Sequence, residues 1–256
     1  MGLLRWLGRL VLESLAHVGR FSALVVELFR GIPEWRIWLP RTVIEARAIG
    51  IGSLFIVVLT AAFAGGVTAF QSGYQWQTNL PLYVLGTLVV STIILELGPV
   101  LAGLILAGRI GARYAAELGT MRVTEQIDAL ESLGRSPASH LILPRVLAGF
   151  VMVPALVVIA DVVGVASGWI AVKQVLPITD ADFAYGAKAF YRAFDGYYSI
   201  IKAFFFAGAI TLIPCYMGFN TQHGAAGVGK STTAAVVSSS VVILLLDTLL
   251  AKILLN

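Results

Sequence analysis

Residues 109–135 read RIGARYAAELGTMRVTEQIDALESLGR and carry eight charged side chains. The run before them, Leu80–Gly108, carries one charge, Glu96, and the run after them, Val146–Val172, carries one, Asp161. A helix that crosses the hydrocarbon core needs about 20 consecutive, mostly apolar residues. Both flanking runs reach that length. The charged island between them therefore stands outside the bilayer, on one side of it.

Composition agrees. The chain has 256 residues, 58% hydrophobic and 12% charged, with a mean hydropathy of +0.88. Soluble domains average about 25% charged residues. No polar stretch is long enough to fold as a separate soluble unit, so we read one membrane domain over 1–256. It divides into an entry region (1–47), two spans (48–108), a charged cytoplasmic region (109–140) and three further spans (141–256). The net charge of +4 is clustered in loops and reports topology rather than nucleic-acid binding. Cys215, the single cysteine, excludes an internal disulfide. Arg5, Arg9, Glu13 and Arg20 interrupt any signal-peptide core at the N-terminus.

Five runs have spanning length: Ala48–Phe70, Leu82–Gly108, Val146–Val172, Ala203–Phe219 and Thr232–Leu250. They are too long and too continuous for barrel strands. The fold class is thus all-α integral membrane protein. Residues 1–47 hold seven Arg and the 109–145 loop five more, whereas the 71–81 loop has no basic residue. The basic-side rule puts the N-terminus, 109–145 and 220–231 inside, and the C-terminus outside. Leu3, Leu7, Leu10, Val11, Leu15 and Val18 recur at helical spacing opposite the four charges near the N-terminus. That pattern, with Trp6, fits an amphipathic helix lying in the headgroup layer; a helix packed on the protein's own flank fits it as well. The pairs Ile32-Pro33 and Leu39-Pro40 are expected to break the chain before the first span.

The island itself reads as two short helices. Ile110, Tyr114 and Leu118 form one apolar stripe, and Val123, Ile127 and Leu130 another, with the break expected at Gly119-Thr120. Gly134, followed by Pro137, ends the second helix. Arg109, Arg113, Glu117, Arg122, Glu125, Asp128 and Glu131 provide a mixed-charge outer face. A segment this long exceeds the usual connection of about 4–6 residues, so we read it as a coupling element that meets a motor subunit, against the plainer reading of a solvated loop.

Ionisable groups inside spans are costly and tend to be functional. Glu96, Asp161, Lys202 and Asp247 are the candidates, and Phe205, within Phe204–Phe206, is a candidate lining residue of an apolar cavity. Depth matching pairs Lys202 with Asp247 or Asp161. Glu96 reaches Lys202 only if the fourth helix begins earlier than its apolar run. The plainer readings are snorkelling for Lys202 and hydrogen bonding of Asp161 and Asp247 to Ser167 or to Ser238–Ser240. His17, His140 and His223 lack ligand spacing, so no metal site is expected, and no Ser-His-Asp or Cys-His set points to catalysis.

Gly224–Ser231, GAAGVGKS, matches the phosphate-loop pattern letter for letter. The chemistry needs a strand before the loop and a helix after it, in an α/β domain. Here a membrane run precedes and another follows. We therefore expect no nucleotide cofactor in this chain, and read a flexible glycine turn with Lys230 as an inner-face anchor.

Glu96-Leu-Gly-Pro-Val-Leu, Ala107-Gly-Arg-Ile-Gly-Ala, the block Ala116–Leu130 and Pro144-Arg145 resemble the MlaE (YrbE) permease family. Those proteins are the membrane subunits of MCE-type ABC lipid transporters. Some members carry Arg before the Glu of the first motif, where this chain has Leu95. The resemblance implies a homodimer in a bacterial inner membrane and two cytoplasmic ABC ATPase subunits docked on 109–134. It further implies an MCE-domain protein on the periplasmic side, a STAS-domain protein on the ATPase, and phospholipid passing between the first and fifth spans. An ion-coupled secondary transporter using Glu96, Asp161 or Asp247, and an intramembrane lipid-modifying enzyme, are the rival readings.

Overall fold

The computed structural model describes residues 2–76 and 81–255. Most of the 71–81 loop's tip, and the side chains of residues 1–11, 13 and 14, lie outside the described residues. Leu3, Leu7, Leu10 and Val11 of the N-terminal stripe, and its charges Arg5, Arg9 and Glu13, fall there. The described residues form α1 (Gly2–Gly31), α2 (Trp35–Tyr74), α3 (Tyr83–Val123), α4 (Gln126–Ser132), α5 (Ala138–Val172), α6 (Asp180–Ala189), α7 (Ala193–Phe219) and α8 (Gly224–Leu254), with no strand among them. Helices α2, α3, α5, α7 and α8 are each long and apolar enough to cross a membrane. They are the five runs of the sequence.

Every span outruns its apolar run. Helix α2 starts thirteen positions before Ala48, α7 ten before Ala203, and α3 continues fifteen beyond Gly108. Hydropathy marks only the part that lipid touches. The backbone ladder continues into headgroups and water wherever no breaker intervenes. Pro33 does break the chain, between α1 and α2, but Leu39-Pro40 does not. Pro40 lies in the second turn of α2 and removes only its bond to the Arg36 carbonyl, and both residues are exposed.

The charged island departs from its expected form in one place. Gly119-Thr120 is not a break; α3 runs through it to Val123. Gly119 serves close packing instead, since a β-carbon there would sit 3.0 Å from the Thr221 hydroxyl. The chain turns at Thr124–Glu125, where Glu125 adopts a left-handed φ of 59°. Arg122 pairs with Asp128 across that turn. Gly134, with φ 70°, ends α4 as expected, and the Arg135 amide reaches back to the Leu130 carbonyl at 3.1 Å.

Helices α2 and α5 pack along their length, α7 lies between α5 and α8, and α3 threads past all of them. The main core joins Leu106, Tyr114, Leu118, Leu156, Phe206, Ile210 and Ile243. A smaller cluster, toward the end opposite the charged island, joins Leu85, Val89, Ile93, Val172 and Phe183. Helix α1 buries Leu24 and Leu28 against the bundle and sets Phe21 edge-on to Tyr216 at 5.5 Å, while Leu12, Leu15 and Val18 are exposed. At the end opposite the charged island α6 crosses α3, with Gly186 against the Tyr83 carbonyl. The α5–α6 corner is closed by Lys173, which pairs with Asp180 and holds its carboxyl below the usual range, and by the Trp169 indole donating to Asp180 at 3.2 Å.

The α2–α5 seam depends on Gly65, whose missing β-carbon leaves room for the Gly164 carbonyl and Ser167. Gly65→Leu should destabilise the fold by about 1–3 kcal/mol through overpacking, measured as a loss of unfolding free energy in bicelles; an unchanged value would show that the seam yields.

Candidate functional site

Lys202 is wholly buried, about 14 Å along α7 from Ala193. A bare ammonium in that setting would cost several kcal/mol. Its partners come from two other spans. Its Nζ donates to Glu96 Oε2 of α3 at 2.9 Å and pairs with Asp247 of α8. A third bond, also 2.9 Å, goes to the backbone carbonyl of Leu95. The sequence explains why that carbonyl is free. Pro99 has no N–H to give to the residue four before it, and the Gly98 amide reaches five residues back, to Ile93, in a π-helical turn over Ile93–Leu97. Such turns insert one extra residue into a helix and recur at functional sites. The Tyr198 ring completes the shell, with Nζ 4.9 Å from its centroid.

Lys202 thus pairs with both Glu96 and Asp247, because α7 begins early enough to bring it level with the π turn. Asp161 stays outside the pairing. Its Oδ2 accepts from Ser199 at 2.6 Å, and its Oδ1 rests against Gly98, where a β-carbon would collide with it. Ser167 and Ser238–Ser240 do not serve as its partner or that of Asp247: Ser167 donates to Gly164 and Ser239 to Ala209. Phe205 faces outward, half exposed, whereas Phe206 is buried and Phe204 stacks on Phe150. Glu96 is half exposed. Leu88, Thr92 and Leu97 of α3 line an open recess of about 410 Å³ whose other wall is Thr68, Gln71, Ser72, Gln75 and Trp76. Uncharged polar and apolar side chains share its lining, which suits an amphiphile better than a small ion.

The charged residues at the basic end of the bundle fall into separate sets. Arg109 lies against Gly52 of α2. Arg113 and Glu117 join Glu45 and Arg145 in a network of four alternating charges. Glu45 and Arg145 were not singled out as site residues from sequence. The one available signal was Arg145 in the Pro144-Arg145 motif; Glu45 is hidden among the basic residues that flank the first span. Arg122 and Asp128 are paired across the turn, and Glu125, Asp128 and Glu131 are exposed on or beside α4, together with Leu133, 75% exposed.

Gly224–Ser231 forms the first two turns of α8, not a flexible glycine turn. Gly227 packs against the Gln222 carbonyl, which leaves no room for a β-carbon. Beyond the first turn, amides are engaged in the helical ladder rather than presented as a cradle. No cluster of three or more His, Cys, Asp or Glu fit for a metal occurs among the described residues.

Five spans, a buried ion cluster, an open recess between α2 and α3, and an exposed helix on the basic side define a multi-pass membrane transport protein. The chain belongs to the MlaE permease family, whose model matches residues 42–253. It is 36% identical to a probable ABC transporter permease protein of Rickettsia conorii over 227 residues, 89% of this chain and 88% of that one. It is 31% identical to the intermembrane phospholipid transport system permease protein MlaE of Haemophilus influenzae over 250 residues, 97% and 95% of the two chains. It is also 35% identical to the chloroplastic protein TRIGALACTOSYLDIACYLGLYCEROL 1 of Arabidopsis thaliana, over 82% of this chain and 59% of that protein.

Lys202→Met should strand two carboxylates and destabilise the fold by about 3–5 kcal/mol. Neutralising all three, Glu96→Gln with Lys202→Met and Asp247→Asn, should recover more than half of that loss. Unfolding free energies of the two variants check this, and a triple variant no more stable than Lys202→Met would contradict the pairing.

Proposed function

We propose that this chain is the membrane permease of an ATP-driven system that moves phospholipid between the inner and outer membranes of a bacterium. The observation that carries the reading is the match to the MlaE permease family over 42–253, reinforced by likeness to an intermembrane phospholipid transport permease along nearly the whole chain. The permease performs no bond chemistry. Hydrolysis belongs to a separate ABC ATPase, two copies of which serve a permease homodimer. An MCE-domain protein hands lipid on at the periplasmic side, and a STAS-domain protein attaches to the ATPase. The chain sits in the inner membrane with its N-terminus cytoplasmic and its C-terminus periplasmic.

The geometry supports these assignments in turn. Helix α4 is short, buries Ile127 and leaves Glu125, Asp128 and Glu131 exposed on or beside it, so it is a knob rather than a wall. It follows α3 through a single strained turn, and α3 is one helix from the outer recess to that knob. Motion applied at α4 is thus delivered to the helix that carries Glu96. The recess joins polar and apolar walls, as a lipid with a polar head and apolar tails needs.

The complex reconstituted in donor vesicles should release fluorescent phospholipid to acceptor vesicles only when ATP is supplied. Transfer driven by a proton gradient and indifferent to ATP would favour an ion-coupled carrier instead. Glu125→Lys combined with Asp128→Lys should cut ATPase recovery in a pull-down by about tenfold, the scale of one lost docking contact pair; full recovery would remove α4 from the docking site. Lys230→Ala should leave ATP hydrolysis by the complex within about twofold, because surface changes outside a site are near neutral.

A further inference from the structure

The four inner-side charges form a closed ring. Glu45 of α2, Arg113 and Glu117 of α3, and Arg145 of α5 alternate in sign, and each acid touches both guanidinium groups. The links are unequal. Glu117 accepts from Arg113 at 2.6 Å and from Arg145 at 3.0 Å, whereas Glu45 stands 3.3 Å and 3.6 Å from the same two groups. Arg145, 6% exposed, is held again by the Leu141 carbonyl at 2.7 Å. The Tyr114 hydroxyl adds only one long bond to Glu45, 3.3 Å. Helices α3 and α5 are therefore clamped together through Glu117, and α2 is attached to the clamp by its slackest contacts.

Charge accounting says which link can open. If Glu45 leaves, Arg113 and Arg145 both keep Glu117, and no cation is stranded. If Glu117 leaves, two guanidinium groups compete for one distant acid. Stranding a buried charge is the costly event, so the ring opens at Glu45. A second partner waits for it. Arg41 is one helical turn away on α2 itself, at the i, i+4 spacing that favours ion pairs, and now donates to the His140 carbonyl at 3.0 Å. Arg41, Glu45 and Arg145 line one cavity of about 100 Å³, large enough for water to enter and for side chains to change partners.

We infer that Glu45 is an ionic switch, bound across helices to Arg113 and Arg145 in one state and along its own helix to Arg41 in the other, and that it passes movement of the α3–α4 corner to the first span. It rests on the reading of this chain as a permease driven from outside. Helix α3 is the lever: its last residue, Val123, lies about 9 Å beyond Glu117. A tilt of that end strains the ring where it is slackest and frees α2, which walls the outward recess through Thr68 and Gln71. Two discrete pairings of one side chain supply the bistable element that coupling between distant sites requires.

The test uses the whole complex in vesicles and reads three quantities: ATPase retained, ATP hydrolysed, and phospholipid moved per ATP. Glu45→Gln should keep retention and hydrolysis within about twofold and lower lipid moved per ATP by about tenfold, the usual size of a coupling term. Arg41→Gln, an exposed side chain outside the ring, should lower the same ratio and leave assembly intact, so it decides the matter if the Glu45 variant fails to assemble. An unchanged ratio in both variants, or in Arg41→Gln alone when the other does not assemble, overturns the switch. A native complex that moves no phospholipid with ATP overturns the transport reading itself, independently of either variant.

Discussion

A lysine with no solvent contact, inside the apolar body of a membrane protein, is the constraint from which the rest follows. Lys202 must be met by anions, and they can come only from neighbouring helices. Glu96 and Asp247 supply them, so α3, α7 and α8 are held at one depth. The Leu95 carbonyl completes the site, and it is available because Pro99 cannot use it. Gly98 is the other half of that device. It lets the Asp161 carboxyl approach the π turn from α5, so four spans converge within one layer.

The inner end of the bundle repeats the logic with a different tolerance. There the charges balance as two acids and two arginines, and one of them can leave without orphaning another. At the other end one wholly buried cation serves two acids, one on α3 and one on α8, and binds the Leu95 carbonyl as well. Helix α3 passes through both, carrying Glu96 near the recess and Arg113 with Glu117 near the knob. Helix α3 links the two clusters as one continuous element whose ladder is interrupted by π turns at Ile93–Leu97 and Ala107–Gly111, and that continuity is what the proposed coupling uses.

Much of this was legible in the sequence, in parts. Long apolar runs gave the five spans because hydrocarbon tolerates little else. The four intramembrane charges stood out because each is alone in its run. Their pairing was not legible: it turns on α7 starting at Ala193, ten residues before its apolar run, and hydropathy does not see a helix that continues into water. The break at Glu125 was hidden for a related reason. A glycine at 119 looks like a hinge in one dimension, whereas in the fold it is the point where α3 meets Thr221. Glu45 was invisible because one acid among Arg41, Arg47 and their neighbours looks like ordinary flank. Only the crossing of α2 over α3 and α5 gives it partners. Phe205 shows the converse, since a run of three aromatics covers several helix faces and cannot say which one turns inward.

In the proposed coupling, motion applied at α4 reaches the recess between α2 and α3 through α3. Spin labels at Ser72 and Leu88, on opposite walls of that recess, allow the distance between them to be followed by pulsed electron resonance in the assembled complex. The distance distribution should shift between the nucleotide-free and ATP-bound states of the partner, and Lys202→Met should abolish the shift. One distribution common to both nucleotide states in the otherwise native complex would contradict it.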